Sequence, residues 1–451
     1  MANPLITTLR SLRGNPRACV YTEPLWGISM NLCLPYASVY MLALGIDDVR
    51  LGFISTVGML CQVVFGSLSG VITDKIGRRT TTAVFDLIAW CIPCLIWFSV
   101  SLVDSRWAFW FFLGASVINS TLQVTQNSWD CLLAEDAERE DITRIYSLIA
   151  VAGQMSAIFA PIAAVLVAQY SLVPAVRILY ANAFIVMTVK VVWLYLWSHE
   201  TEMGVKRKAE THGVSIAHLL AGYVKADQDR NEGVHKDEAN GTIETCSGEQ
   251  SGVIRLILHS PGTIFALVVG ILFAAVSTVN GTFWQVLANK KLMVPTALLP
   301  IFAMGRSIIA MVFLFTIVHR ITKTTNLKVG LLIGFLAYGV GQTILCTIPG
   351  PSGQAGVATY VLLCTSLLCD GLGVAILATL AESIVALNID KQERSRVMAV
   401  QRTMVMLCVS PFGWIGGWLS SISRSLPFVL TACILALGII ATLVHYRRRP
   451  V

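Results

Sequence analysis

The chain has 451 residues, 55% of them apolar and 13% charged, against about 25% charged in an ordinary soluble chain. With a mean hydropathy of +0.70, that composition excludes a disordered protein, a nucleic-acid binder with a basic face, and almost any soluble enzyme of this size. The apolar residues come in blocks of about 20, the length a helix needs to cross a hydrocarbon core about 30 Å thick. An all-α integral membrane protein is expected.

In chain order the blocks predict twelve transmembrane helices, at 24–45, 51–72, 81–103, 107–131, 145–169, 177–198, 260–287, 295–318, 328–348, 356–386, 397–420 and 426–446. A polar stretch at 199–255 separates the first six from the last six. Apart from one amphipathic piece, Val214–Tyr223, it is rich in Gly, Glu, Asp and Asn and is expected to be partly disordered. The expected domains are an N-terminal six-helix bundle (1–198), a linker (199–255) and a C-terminal six-helix bundle (256–451).

Orientation follows from the basic residues. Of the 33 Lys and Arg, 24 fall in segments on the N-terminal side of the membrane and six in the opposite loops. Basic residues collect in cytoplasmic loops, so both termini are expected in the cytoplasm and the protein in the plasma membrane. Arg10, Arg13 and Arg17 are not followed by a short apolar region ending in a cleavage site, so no cleaved signal peptide is indicated. Most of the 12 cysteines lie inside apolar blocks and are read as small apolar residues. Cys91-Ile-Pro-Cys94 has redox spacing but no companion pair, so no metal or cofactor is expected.

Two corners of the chain repeat at an offset of 252. The fourth span ends at Asp130 and runs on to Asp141 and Arg144; the tenth ends at Glu382 and runs on to Glu393 and Arg396. The helix after each corner carries a proline among small residues, Ala160-Pro161 in one and Ser410-Pro411 with Gly416-Gly417 in the other. A duplicated six-helix unit is the reading, the parallel-repeat layout of an alternating-access transporter.

Between the second and third spans stands Gly70-Val-Ile-Thr-Asp74-Lys75-Ile-Gly77-Arg78-Arg79. It resembles the G-x-x-x-D-[RK]-x-G-[RK]-[RK] signature of the major facilitator superfamily, at the loop where that family carries it. Gly70 and Gly77 allow a tight turn and close helix approach, and Arg78 lies four residues from Asp74, within pairing distance. The resemblance implies a conformational switch made of Asp74, Arg78 and an acid at the end of the fourth span, taken to be Asp130, with Lys75 and Arg79 beside it. The alternative is that these bases only set topology. In the second half, His319-Arg320-Ile-Thr-Lys323 replaces the motif; Glu382 remains, with Lys323 as its expected partner.

A charge at a helix centre costs roughly 2.5–3.5 kcal/mol on insertion scales unless paired or facing water. Two lie near the midplane, Arg306 in the eighth span and Asp370 in the tenth. They are expected to face one another in the central cavity that the resemblance implies, Asp370 as the proton or substrate group and Arg306 as its counter-ion or an anchor for an anionic substrate. A static buried pair is the alternative. A polar stripe on the fourth span, Asn119, Gln123, Gln126 and Asp130 with Asn127, shares one helical face. It would line the cavity or act as interhelical hydrogen-bond glue. Asn31, Tyr36, Tyr40, Asn280, Trp284 and Gln285 supply a similar mix in the first and seventh spans. Glu23 is read as a first-turn acid, Lys190 as snorkelling to the interface, and Asp86 and Arg402 as relay members or interfacial charges.

The function implied is secondary active transport of a small organic solute by a monomer, coupled to protons, either as drug or metabolite efflux or as uptake of a sugar or organic metabolite. Alanine replaces the glycines that antiporters of the family carry after the fifth-span proline (Ala160-Pro161-Ile-Ala-Ala164), which weakens the drug-antiporter reading. No G-x-x-x-x-G-K-[ST] occurs, which argues against ATP as the driver. A non-transporting sensor on the same fold is the reading from another class.

Overall fold

The computed structural model describes residues 9, 11–137, 142–211, 261–314, 316, 327–350, 355–388 and 394–447. These residues form helices joined by short turns. The first half contains α1 (Gly14–Cys33, a 3-10 turn Leu34–Tyr36, then Ala37–Ala43), α2 (Asp48–Ile76) and α3 (Arg78–Leu102). It continues with α4 (Ser105–Asn119 and Leu122–Ala134), α5 (Ile142–Ser156, a 3-10 turn, then Ala160–Tyr170) and α6 (Leu172–Trp197). The second half contains α7 (Pro261–Lys290), α8 (Thr296–Phe313), α9 (Leu327–Thr347), α10 (Val357–Asn388), α11 (Arg394–Val409 and Pro411–Ile422) and α12 (Leu426–Arg447). A short linker helix, Glu202–Glu210, follows α6. The expected amphipathic piece at 214–223 lies outside the described residues.

Among the described residues ten helices, α2, α3 and α5 to α12, are long and apolar enough to cross a membrane. The other two expected spans, α1 and α4, are present as interrupted helices. Pro35 cannot donate to the carbonyl one turn back, and α1 tightens there into its 3-10 turn. In α4 the Thr121 hydroxyl donates to the Ile118 carbonyl at 2.8 Å, and the helix breaks at Ser120–Thr121 because such side chains compete with the backbone ladder. Pro411 likewise frees the Leu407 carbonyl, which takes the Ser410 hydroxyl at 2.9 Å. Large apolar side chains such as Val64, Leu196 and Leu437 point outward, each more than half exposed, as a surface solvated by lipid requires.

The side that carries the Gly70–Arg79 loop is called the motif side, and the other the far side. On the far side one apolar cluster runs through both halves, joining Leu32, Tyr40 and Phe112 to Phe283, Leu363 and Phe428. Toward the motif side the clusters separate. Trp129, Leu132 and Ile145 belong to the first half alone, and Phe265, Phe335 and Leu380 to the second, with Met59 of α2 at its edge. Among the described residues the two halves therefore share one apolar core at the far side and keep separate apolar cores toward the motif side, where the first piece of α11 still meets α2.

Candidate functional site

Between the halves lies a cavity of about 510 Å³, within the range of metabolite sites. α1, α2, α3, α4 and α6 line it from the first half, α7 and α8 from the second. Its polar wall includes Asn31, Asn119, Gln285 and Arg306, and its aromatic wall Trp90, Trp97 and Tyr180. The Gln285 carbonyl oxygen is buried with no hydrogen-bond partner, so it can accept from a bound solute. Tyr36, Tyr40, Asn280 and Trp284 are not at the cavity surface. Each is at most 4% exposed. Tyr40 donates to the Trp97 carbonyl at 3.0 Å, Asn280 donates to the Tyr338 hydroxyl at 3.1 Å, and Trp284 packs on Phe302 at 6.0 Å.

Arg306 and Asp370 are near one another but not in contact. They act on each other through space, and no ion pair within 4.0 Å joins them among the described residues. Asp370 is fully buried. Gln342 of α9 donates to both of its oxygens at 3.0 Å, and the Gln342 carbonyl accepts from Thr431 of α12 at 3.0 Å. A Cβ on Gly341 would stand 2.2 Å from the Asp370 carboxylate, so the glycine makes the room. The expected direct pairing is absent: Asp370 is buried against α9, where its partner Gln342 is neutral, while Arg306 lines the cavity.

The far-side seal is a helix crossing. A Cβ on Gly52 of α2 would lie 2.3 Å from the Gly413 carbonyl oxygen, and one on Gly417 2.3 Å from the Asp48 carbonyl oxygen. Small residues spaced four apart let helices touch backbone to backbone. The crossing is pinned by polar contacts. The Arg424 guanidinium pairs with Asp48, Ser420 donates to Asp48 at 2.9 Å, and Thr56 donates to the Ser410 carbonyl at 2.7 Å. Nearby, Lys291 donates to the Ser425 hydroxyl at 2.6 Å, and burial lowers its pKa from the ordinary lysine value.

On the motif side, Arg78 is 5% exposed and held by three acids. It reaches Asp74 at 2.8 Å and Glu135 at 3.2 Å, and its backbone N–H donates to Glu200 at 2.7 Å. Glu200 also accepts from the Arg79 N–H at 3.2 Å, so its carboxylate caps the first turn of α3, where free N–H groups and the helix dipole favour an anion. Gly77 begins that turn at φ +99°, ψ 152°, a region essentially reserved for glycine. Arg79 stacks on Tyr195 at 4.0 Å and donates to the Tyr195 carbonyl at 2.7 Å. Thr201 of the linker donates to Glu135 and caps the linker helix.

A family model described as the Major Facilitator Superfamily matches residues 25–338. The chain belongs to that superfamily. Solved structures of the same fold include a D-xylose-proton symporter (TM-score 0.68, 13% identity, 96% of each chain covered). Two others are the POT family transporter PepTSo (0.67, 13%, 96% of this chain and 98% of that one) and the nucleoside transporter NupG (0.62, 13%, 97% and 99%). No curated protein matches the sequence.

Within this superfamily member the α4 acid paired with Arg78 is Glu135, not Asp130 as the resemblance implied. Asp130 sits more than one turn earlier on α4 and instead accepts from Gln126 at 3.2 Å and from the Tyr146 hydroxyl at 3.3 Å. Lys323 lies outside the described residues, as does the side chain of Glu382. Of the α4 stripe, Asn119 alone borders the cavity, and the helix is interrupted just after it, at Ser120–Thr121. Its amide donates to the Ala89 carbonyl at 2.7 Å, the group that Pro93, lacking an N–H, leaves open in α3. Gln123 donates to Gln62 at 3.3 Å and Asn127 to the Thr73 hydroxyl at 3.4 Å, which is interhelical glue.

Two expectations about single charges change. Lys190 does not snorkel: it is 3% exposed and pairs with Asp86 across α6 and α3. Glu23 is not in a first turn, because α1 begins at Gly14. It is within electrostatic reach of the Lys190–Asp86 pair. Glu135, Glu200, the Asp48–Arg424 pair and Gln342 were not singled out from sequence. The Gly413-x-x-x-Gly417 spacing was the one local signal for the far-side crossing.

Proposed function

We propose that the chain is a secondary active transporter that moves a small organic solute by alternating access, coupled to protons, in the plasma membrane with its motif side in the cytoplasm. The observation that carries this is the cavity between the halves, closed on the far side by the α2–α11 crossing, while among the described residues the motif-side apolar cores stay separate. A cavity accessible from one side at a time is what rocking of two bundles about a central site requires. In this reading the state described is inward-facing. Release of the Asp48–Arg424 contact would accompany opening to the outside, and the Arg78 network would hold the first bundle rigid at the other end.

Asp370 is proposed as the proton carrier. It is a carboxylate within the membrane whose partners, Gln342 and through it Thr431, are neutral, so no fixed counter-ion in contact holds it ionised. Reconstitution in proteoliposomes with an imposed pH gradient tests the reading. Gradient-driven accumulation is expected with the wild type and is lost in Asp370→Asn, while solute exchange without a gradient persists. Unchanged pH dependence in Asp370→Asn would remove it from the coupling path.

A further inference from the structure

Arg306 is the one formally charged side chain among the described residues that line the cavity. It lies in the middle of the Leu299–Phe313 helix of α8, about as far from either interface as the span allows, and is half-buried. A guanidinium carries five N–H donors and no acceptor. Among the described residues none of those donors meets an acceptor within hydrogen-bond distance, and no carboxylate lies within 4.0 Å. Asp370, which acts on it through space, is fully buried and is engaged by Gln342. A cation near the membrane midplane with no acceptor in contact is costly and is kept where it meets a substrate or an ion path.

We infer that the transported solute carries an anionic group, a carboxylate or an oxyanion of similar size, which Arg306 binds directly in the cavity. This rests on the transport reading of the same cavity. A cationic solute would meet a like charge in a site of low dielectric. A neutral one would displace water from the guanidinium and leave donors unmet, the more expensive half of a broken hydrogen bond. An anion meets them as charge-assisted hydrogen bonds, with both guanidinium edges available for the two oxygens of a carboxylate. Trp90 and Trp97, which also line the cavity, offer flat apolar surface to the rest of the molecule.

The test uses the full-length protein in nanodiscs and a matched pair of probes, sodium benzoate and benzamide, which share a ring and differ in charge. Binding is followed by tryptophan fluorescence and by protection against thermal unfolding. Benzoate is expected to bind roughly 10- to 100-fold more tightly than benzamide, the range for hydrogen bonds to a charged group. In Arg306→Gln the preference is expected to vanish, and in Arg306→Lys to survive in part, because a point charge remains without the planar fork. Arg306→Lys also guards against misfolding of the neutral variant. Equal affinities for the two probes in the wild type, or a benzoate preference that persists in Arg306→Gln, would overturn the assignment. Flux separates this inference from the one beneath it. A neutral solute carried equally by wild type and Arg306→Gln leaves the transporter standing and removes the anion site. Arg306-dependent benzoate binding with no gradient-driven flux of any solute does the reverse.

Discussion

Gly52→Ala is expected to open the far side. The new Cβ would lie 2.3 Å from the Gly413 carbonyl oxygen, 3.1 Å from its carbon and 3.0 Å from the Gly417 Cα. All three are backbone atoms, so no rotamer change relieves the contact and α2 must move away from α11. Overpacking of this kind costs about 1–3 kcal/mol. The movement also loosens the Asp48–Arg424 pair, but Arg424 keeps 31% of its side chain exposed, so solvent limits what that loss adds. A bias of 1–3 kcal/mol shifts a two-state equilibrium about 5- to 150-fold. Gly66→Ala on the same helix is the control, because its Cβ would meet nothing nearer than the Gln123 Cβ at 3.9 Å. Spin labels at Ser105 and Val357, exposed far-side positions in opposite halves, report the opening by double electron–electron resonance. A longer distance population is expected in Gly52→Ala and not in Gly66→Ala. Identical distributions in wild type and Gly52→Ala would refute the seal.

Lys190→Met strands the Asp86 carboxylate, of which 1% of the side chain is exposed, and should destabilise the fold by about 3–5 kcal/mol; adding Asp86→Asn should recover most of it, and a single variant that melts with the wild type would show the pair to be dispensable. Glu135→Gln removes a charged partner of Arg78 and is expected to cost about 1–3 kcal/mol, whereas Asp130→Asn leaves the network intact; thermal unfolding in the same detergent compares them, and the reverse order would restore Asp130 to the switch. Asn119→Leu leaves the Ala89 carbonyl unmet at about 1–3 kcal/mol. In a Pro93→Ala background, where the backbone supplies an N–H again, the same change should cost far less, and a double-mutant cycle showing simple additivity would contradict the repair.

The twelve-block pattern and the loop motif were legible because both are local. A span needs only its own apolar residues, and Gly77 needs only its own φ. What escaped was which acid or amide a charge would choose. Asp130 and Glu135 both stand at the end of α4, and the turn of the helix, not the spacing in sequence, hands Arg78 to Glu135. Asp370 was marked by its cost in the membrane, yet its partner Gln342 is an uncharged residue in another span with nothing in its neighbourhood to announce it. The α4 stripe assumed an unbroken helix, and Ser120 with Thr121 interrupted it. Lys190 was taken to reach outward because its nearest interface is close in sequence; Asp86, 104 positions away, is closer in space.

The most direct test of alternating access through this cavity is a reversible lock on its far side. Ser420 and Asp48 touch at 2.9 Å, so Asp48→Cys with Ser420→Cys, in a background freed of the native cysteines, places two thiols across the α2–α11 crossing. Oxidation should abolish gradient-driven flux in proteoliposomes while benzoate binding at Arg306 persists, and reduction should restore flux. Flux that continues at the wild-type rate with the disulfide formed would contradict transport by opening of that face.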